Sequence, residues 1–339
     1  MENLIETSPD EMIRRIIGRN KIKYATLTNL IDGQITNLKS FVINVDSILI
    51  DLHKYFNKNN DLDKCDFVFT ISAALINIVA HYRYYFSLNG WYPNIYLLAD
   101  KSDSLNNIST AMELIRVILK YVDNCYFIDT SNLKTGIIIK YFLKKKANNI
   151  ILTRDDFDIM HVSENIIVIK SNKDKSKLYT YDNWQKVICG DNYKDDYKCV
   201  SYKLLNMVLC FSGAHQRSGV KGLGFRTMLK KISSAVKDKS IINNHYSDIH
   251  DFISDMGKSF SKYNLDKAEL NFTIYDVDSN YDKCVTRAIE KRLDSYIEDK
   301  FSKKDLSMIN TKYFTGLDYI MLDELMTKPN SMKDNSMKW

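Results

Sequence analysis

The chain has 339 residues, of which 45% are hydrophobic and 27% charged, as is ordinary for a globular protein. This composition excludes wholesale disorder and collagen-like structure, and the length suggests about two domains. The six cysteines form no Cys-x-x-Cys motif, so we expect neither a zinc ribbon nor a disulfide framework. A reducing compartment fits best: the cytoplasm, or the host cytoplasm for a viral or phage protein. A net charge of +6 permits nucleic-acid binding without requiring it. No apolar run reaches the ~18 residues of a membrane span, so we expect no membrane association.

Residues 1–39 are predicted to form an N-terminal helical extension. Ser8 and Glu11 fit a capping box, Pro9 suits the first helical position, and the helix should end near Gly18.

Residues 40–172 are predicted to form an α/β domain, because short β-rich apolar runs alternate there with helical stretches. The predicted strands are Phe41–Val45, Asn94–Leu98, Cys125–Ile128, Ile150–Leu152 and Ile166–Ile169, with Lys177–Tyr181 as a last strand. The predicted helices between them lie near Ser47–Phe56, Ser72–Ser87, Asn107–Tyr121 and Thr135–Lys146. This alternation predicts a mostly parallel sheet flanked by helices.

Acidic residues follow four of these predicted strands: Asp46, Asp100, Asp129, and the group Asp155, Asp156 and Asp158. In an open α/β sheet, ligands bind at the carboxyl ends of the strands, which makes these residues candidate metal ligands. Aspartate is also common at helix caps and strand exits, and the pattern alone leaves both interpretations open.

Residues 173–240 contain the most informative segment, Ser218–Ile232, in which three glycines precede an amphipathic helix. Glycine lets the backbone approach a phosphate closely, and a helix N-terminus offers free N–H groups. Met228, Leu229 and Ile232 should supply the buried face of the helix. The residues expected to bind a DNA backbone are Arg217, Gly219, Lys221, Gly222, Gly224, Arg226, Lys230 and Lys231. The alternative is a helical turn used only for packing.

Residues 241–339 are predicted to form a helical C-terminal region with charged faces and a loose tail over Thr327–Trp339. Phe314–Met326 is apolar enough to contact a protein partner, although closing the chain's own core would explain it equally well.

The glycine segment resembles the helix–hairpin–helix element of the 5′-nuclease family, which includes flap endonucleases and phage 5′–3′ exonucleases. Ile151–Ile166 resembles the family's Thr-Gly-Asp-Lys-Asp-Leu segment and the strand that follows it. Phe41–Asp46 and Asn94–Asp100 are similar to the family's first two strands with their terminal aspartates. The matches fall in family order over residues 40–235. The resemblance implies a PIN-like fold followed by a helix–hairpin–helix element.

The family cleaves phosphodiesters with two metal ions held by carboxylates, so the resemblance implies Mg²⁺ or Mn²⁺ if the chain is active. It further implies a monovalent cation at the hairpin as a candidate ligand. The implied metal ligands are Asp46, Asp100, Asp155 and Asp158. A gapless match places Phe157 at the second acidic position of the Asp155 segment, whereas a one-residue shift pairs Asp156 with Asp158.

Two further acidic motifs of the family are missing. One falls on residues 132–136, where no residue is acidic and Lys134 adds positive charge. The other falls on residues 211–216, where His215 is either a substitute metal ligand or a structural residue.

Three hypotheses follow from the sequence. The first is a protein of this family that binds branched or duplex DNA with lost or weakened cleavage, serving as a scaffold in replication, repair, transcription or viral assembly. The second is an active metal-dependent 5′ nuclease that uses the remaining acids, with Asp156 or Asp129 filling in. The third is a protein–protein module on an inherited fold that touches no nucleic acid. Independently of these three, the C-terminal region is a candidate contact for protein partners.

Overall fold

Six strands form a sheet in the order β3-β2-β1-β4-β5-β6 in the computed structural model of the chain. Helices flank this mostly parallel sheet, which confirms the predicted architecture. The structure describes residues 37–48, 64–99, 106–120, 122–130, 135–144, 148–171, 176–214, 217–241, 246–275 and 285–298. Contacts between residues divide the chain into two compact units. The first comprises residues 1–135, 171–176 and 287–339, and the second comprises residues 136–170 and 177–286.

The first unit contains three parallel strands, β1 (Ser40–Asn44), β2 (Asn94–Ala99) and β3 (Cys125–Asp129). All five residues of β1 are buried, which explains why Phe41, Val42 and Ile43 between the polar ends Ser40 and Asn44 form a continuous apolar run rather than an alternating pattern. The helices of this unit are α1 (Lys64–Leu88), α2 (Asn106–Leu119) and α9 (Arg287–Glu298). Phe41 of β1 packs against Tyr82 and Phe86 of α1, with ring centroids 4.6 and 5.2 Å apart.

The second unit contains β4 (Asn149–Thr153) and β5 (Ile166–Lys170), which pair in parallel, and β6 (Lys177–Tyr179), which pairs with β5 in antiparallel orientation. A 3-10 helix, Phe157–His161, connects β4 to β5. The parallel register places Lys170, at the end of β5, opposite Thr153 at the end of β4.

Helices make up the rest of the second unit. They are α3 (Thr135–Lys144, which begins one residue before the unit), α4 (Trp184–Cys189), α5 (Leu205–Ser212), α6 (Phe225–Lys237), α7 (Ile249–Met256) and α8 (Asp266–Tyr275). A two-stranded antiparallel sheet of β7 (Gly213–Ala214) and β8 (Arg217–Ser218) separates α5 from α6.

The sequence predicted a helical region beyond residue 241, and the structure describes α7, α8 and α9 there. Among the described residues, α7 ends at Met256, a 3-10 turn covers Gly257–Ser259, and α8 begins only at Asp266. The predicted helix within residues 1–39, the segment Phe314–Met326 and the tail Thr327–Trp339 lie outside the described residues. None of the described helices is long and apolar enough to cross a membrane.

Candidate nucleic-acid interface and acidic segment

Two helices of the second unit, α5 and α6, are joined by a β-hairpin followed by a glycine turn. The eight residues of α5 are largely apolar, and six of them are buried. The chain leaves α5 at Gly213, reverses through β7 and β8, and turns again at residues 219–224 before α6 begins. The Leu223 N–H donates to the Val220 carbonyl at 3.0 Å, which closes the second turn. The turn therefore connects the two helices with Lys221, Gly222 and Gly224 exposed to solvent and Val220 and Leu223 buried.

Gly219 is required by a close approach between two backbone segments. A Cβ atom at this position would lie 2.2 Å from the Ser212 carbonyl carbon and 2.4 Å from the Gly213 nitrogen. The neighbouring Val220 N–H donates to the Phe211 carbonyl at 2.8 Å, which holds the turn against the end of α5. No side chain fits between these two segments.

Gly222 is required by conformation, because its φ of +86° lies in the region that L side chains rarely adopt. Gly224 precedes α6 as its N-cap in an extended conformation and meets nothing within 4 Å of an ideal Cβ. The three glycines thus have different roles. Gly219 permits a close approach of two backbone segments, Gly222 adopts a positive φ, and Gly224 precedes the first residue of α6.

The α6 helix separates apolar and basic residues onto different faces. Met228, Leu229 and Ile232 are fully buried, as the sequence predicted. Lys221, Arg226 and Lys230 are exposed. The side chains of Lys221 and Lys230 form no ion pair or hydrogen bond with any part of the chain that the structure describes. The turn and the first half of α6 therefore present positive charge to solvent.

Two other cations predicted to bind DNA have partners within the second unit. Lys231 is partly buried, donates to the Ser259 carbonyl at 3.0 Å and lies 5.5 Å from the Tyr263 ring centroid. The Arg226 guanidinium lies beside the Asn192 amide, whose oxygen, when turned toward it, accepts at 2.8 and 3.1 Å. Arg217 belongs to β8.

The acidic segment after β4 is built into a hydrogen-bonded turn. The Asp155 N–H donates to Thr153 Oγ1 at 2.9 Å, and this hydroxyl donates to Asp158 Oδ2 at 2.5 Å. Asp155 Oδ1 accepts from the Phe157 N–H at 2.9 Å. Asp158 is only 4% exposed. The carboxylates of Asp155 and Asp158 therefore hold the 3-10 helix in place.

Asp156 is paired with a cation from the neighbouring strand. Its carboxylate accepts from the Lys170 ammonium, with 23% and 13% of the two side chains exposed. Burial, with a smaller contribution from the Asp156 charge, raises the pKa of Tyr179 on β6. No sequence pattern predicts this pair, because Lys170 reaches Asp156 only through the register of β4 and β5.

His161 ends the same 3-10 helix and has a buried Nε2 atom with no hydrogen-bond partner among the described residues. Burial and the positive charge of Lys140 lower its pKa to about 3. The imidazole is therefore neutral at physiological pH. The 3-10 helix packs against α5, so the acidic segment and the glycine turn are attached to the same helix.

The remaining predicted metal ligands lie in the first unit or outside the described residues. Asp46 lies in a helical turn that starts directly after β1, and its side chain is partly buried. Asp129 is the last residue of β3, and β2 lies between these two strands. Asp100, Lys134 and His215 lie outside the described residues.

The acidic segment does not fit a divalent metal ion as it stands. Each of its three carboxylates already accepts a hydrogen bond from the protein, and an ammonium group lies against Asp156. Within the ranges that the structure describes, no group of three or more His, Cys, Asp or Glu residues is arranged to hold a metal.

Sequence reasoning missed the residues that attach the C-terminal helices to the hairpin. Asn271 of α8 is buried and donates to the Cys210 carbonyl at 2.9 Å and to the Ser218 carbonyl at 3.5 Å. The rings of Phe211 and Phe260 stack with centroids 4.8 Å apart. An asparagine and a phenylalanine in predicted helices carry no signal that would distinguish them from ordinary core residues.

No family model matches the chain, and no curated protein matches it in sequence. Solved structures of similar topology include the T5 D15 protein co-crystallised with metal ions (TM-score 0.44, 8% identity, 77% of this chain and 97% of that chain). They also include T5 5′-exonuclease with bound zinc (TM-score 0.45, 8% identity, 78% and 97%). A third is a pseudo-enzyme–product complex of the bacteriophage T5 D15 flap endonuclease with DNA and metal ions (TM-score 0.46, 10% identity, 77% and 97%).

Proposed function

We propose that the chain binds the phosphodiester backbone of duplex or branched DNA through the glycine turn and the start of α6. We further propose that its fold is of the PIN-like 5′-nuclease type and that its phosphodiesterase activity is lost or weakened. The observation that carries the binding proposal is the α5–hairpin–turn–α6 arrangement, which leaves Lys221, Arg226 and Lys230 exposed beside a helix N-terminus. Exposed cations and free N–H groups at a glycine turn bind phosphates without reading bases.

The partners of the acidic residues support the proposal of weakened cleavage. A two-metal phosphodiesterase needs carboxylate oxygens directed at the ions. Asp155 and Asp158 are instead bound to the turn that they stabilise, and Asp156 is neutralised by Lys170. We therefore assign these three residues a structural role.

The binding test compares the wild-type chain with Lys221→Glu/Arg226→Glu in fluorescence anisotropy on a labelled 5′-flap duplex. We expect the double variant to lose about 100-fold in affinity, because two attractive phosphate contacts become repulsive. Lys203→Glu is a control with the same kind of charge change. Lys203 is exposed and lies before the opposite end of α5, about 12 Å along that helix. Equal affinities for the wild type and the double variant would exclude the glycine turn as the DNA contact.

The cleavage test incubates the same flap duplex with Mg²⁺ or Mn²⁺, beside an Asp46→Ala variant. We expect a retained, uncleaved flap. Metal-dependent cleavage that is lost in Asp46→Ala would instead establish an active nuclease with a reduced acid set.

A further inference from the structure

We propose that the connection between α7 and α8 carries a second contact surface for the phosphodiester backbone, formed by Lys231, Lys258 and Lys262 around Tyr263. We call it the Tyr263 surface. The inference rests on the proposed function and extends it, because it assigns DNA contacts to Lys258 and Lys262, which lie beyond the hairpin and α6.

The Tyr263 surface adjoins the glycine turn. An ideal Cβ atom on Gly222 would lie 3.5 Å from Tyr263 Cε1, so the edge of the tyrosine ring lies against the turn. Lys221, the residue before Gly222, is exposed at the same place. A ligand held at the turn is therefore within reach of groups that surround Tyr263.

Two ammonium groups contact the Tyr263 ring. The Nζ atoms of Lys231 and Lys262 lie 5.5 and 5.4 Å from the ring centroid, within the range of cation–π attraction. They are consequently at most about 11 Å apart. Lys258 is exposed and directly precedes Ser259, whose carbonyl accepts from Lys231. None of the three lysines forms an ion pair with a described residue. An anion between these groups would be attracted by more than one of them.

Aromatic packing fixes this surface to the second unit. The Phe260 ring stacks on the Phe211 ring of α5, and its centroid lies 6.4 Å from that of Tyr263. The ring centroid of Phe252 in α7 lies 5.5 Å from that of Phe211. The Asn271 amide fixes α8 to Cys210 and Ser218. The lysines are therefore presented from the same scaffold as the glycine turn.

The chemistry of the surface favours phosphates over bases. An aromatic side chain that stacks on bases needs an open ring face. Tyr263 is partly buried, its edge contacts the turn, and two ammonium groups lie by its ring. The groups that a ligand can contact are therefore the lysine ammonium groups, which suit a repeating phosphate backbone. This predicts binding that is independent of the DNA sequence.

The salt dependence of duplex binding tests the Tyr263 surface. We expect Lys258→Gln/Lys262→Gln to bind a labelled duplex about tenfold more weakly. The negative slope of log affinity against log salt concentration should become shallower by about 2, because each lost phosphate contact reduces its magnitude by about 0.9. Lys186→Gln/Lys203→Gln removes two other exposed lysines of the same unit and should leave both values unchanged. Thermal unfolding of all variants tests whether the fold is intact. We expect it to be, because these side chains are exposed.

The outcomes separate this inference from the proposed function. An unchanged slope in Lys258→Gln/Lys262→Gln, alongside weakened binding in Lys221→Glu/Arg226→Glu, overturns the Tyr263 surface and leaves the glycine turn in place. A wild-type chain that does not bind the duplex overturns both. A reduced slope in both double variants supports a contact surface that spans the two segments.

Discussion

The glycine turn and the acidic segment both lie against α5, yet they use their charged residues in opposite ways. Lys221 in the glycine turn and Lys230 in α6 are exposed to solvent. Asp155 and Asp158 instead accept hydrogen bonds from the acidic segment itself, which they stabilise. Charged groups that contact a ligand must remain accessible, whereas groups that hold a loop must be satisfied within the protein. This difference supports the proposal that the basic region contacts a partner, whereas the hydrogen bonds of the acidic segment stabilise the fold.

The largest expected effect concerns the backbone at the glycine turn. Gly219→Ala would place a methyl group 2.2 Å from the Ser212 carbonyl carbon, so the turn and the end of α5 must separate. We expect the free energy of unfolding to fall by about 3 kcal/mol, at the upper end of the cost of overpacking. The measurement is denaturant unfolding followed by circular dichroism.

Gly224→Ser is the matched control for Gly219→Ala. Its backbone is extended, nothing lies within 4 Å of an added Cβ, and serine is a favourable N-cap residue. We expect its unfolding midpoint to equal or exceed that of the wild type. A Gly219→Ala protein as stable as this control would show that the close approach at Ser212 is not required.

The second prediction tests the acidic half of the comparison. Lys170→Met leaves the mostly buried Asp156 carboxylate without its ammonium partner. We expect a loss of about 2 kcal/mol in unfolding free energy, because the Asp156 carboxylate keeps its desolvation cost and loses the attraction of the ammonium. The double variant Asp156→Asn/Lys170→Met removes the charge as well and should recover part of that loss. Denaturant midpoints of the wild type and the two variants provide the test, and a Lys170→Met protein with wild-type stability would argue against the pair.

The sequence predicted the strands of the sheet to within two residues, because buried parallel strands are continuous apolar runs bounded by polar residues. It also predicted the buried face of α6 from Met228, Leu229 and Ile232. These features depend on neighbours in the sequence. The pairing of Asp156 with Lys170 depends instead on strand register, and the contact of Tyr263 with Gly222 joins segments about forty residues apart. Such contacts leave no local pattern, so the candidate site was only partly predictable.

The domain boundaries at residues 39, 172 and 240 and the DNA-binding residues remain predictions. The contacts of Asn271 and Phe260 nevertheless explain why α7 and α8 belong to the same compact unit as the hairpin. Their packing attaches the segment that carries Lys258 and Lys262 to the same unit as the turn.

The smallest expected effect is a pH dependence that arises at His161. Its pKa is about 3 in the folded chain, compared with 6.5 for the exposed group. Between these values the unfolded state binds a proton that the folded state does not, so stability falls as pH falls below 6.5. From pH 7 to 5.5 this contribution amounts to about 1 kcal/mol. The loss should be absent in His161→Gln.

His250→Gln is the control for the loss of an imidazole, because His250 lies exposed at the start of α7. Unfolding free energies at pH 7 and 5.5 should change by about 1 kcal/mol less in His161→Gln than in the wild type. The same pH dependence in all three proteins would mean that the His161 imidazole is protonated in the folded chain at pH 5.5. It would then contribute positive charge to the acidic segment, and the contrast with the glycine turn would lie in hydrogen bonding rather than in burial.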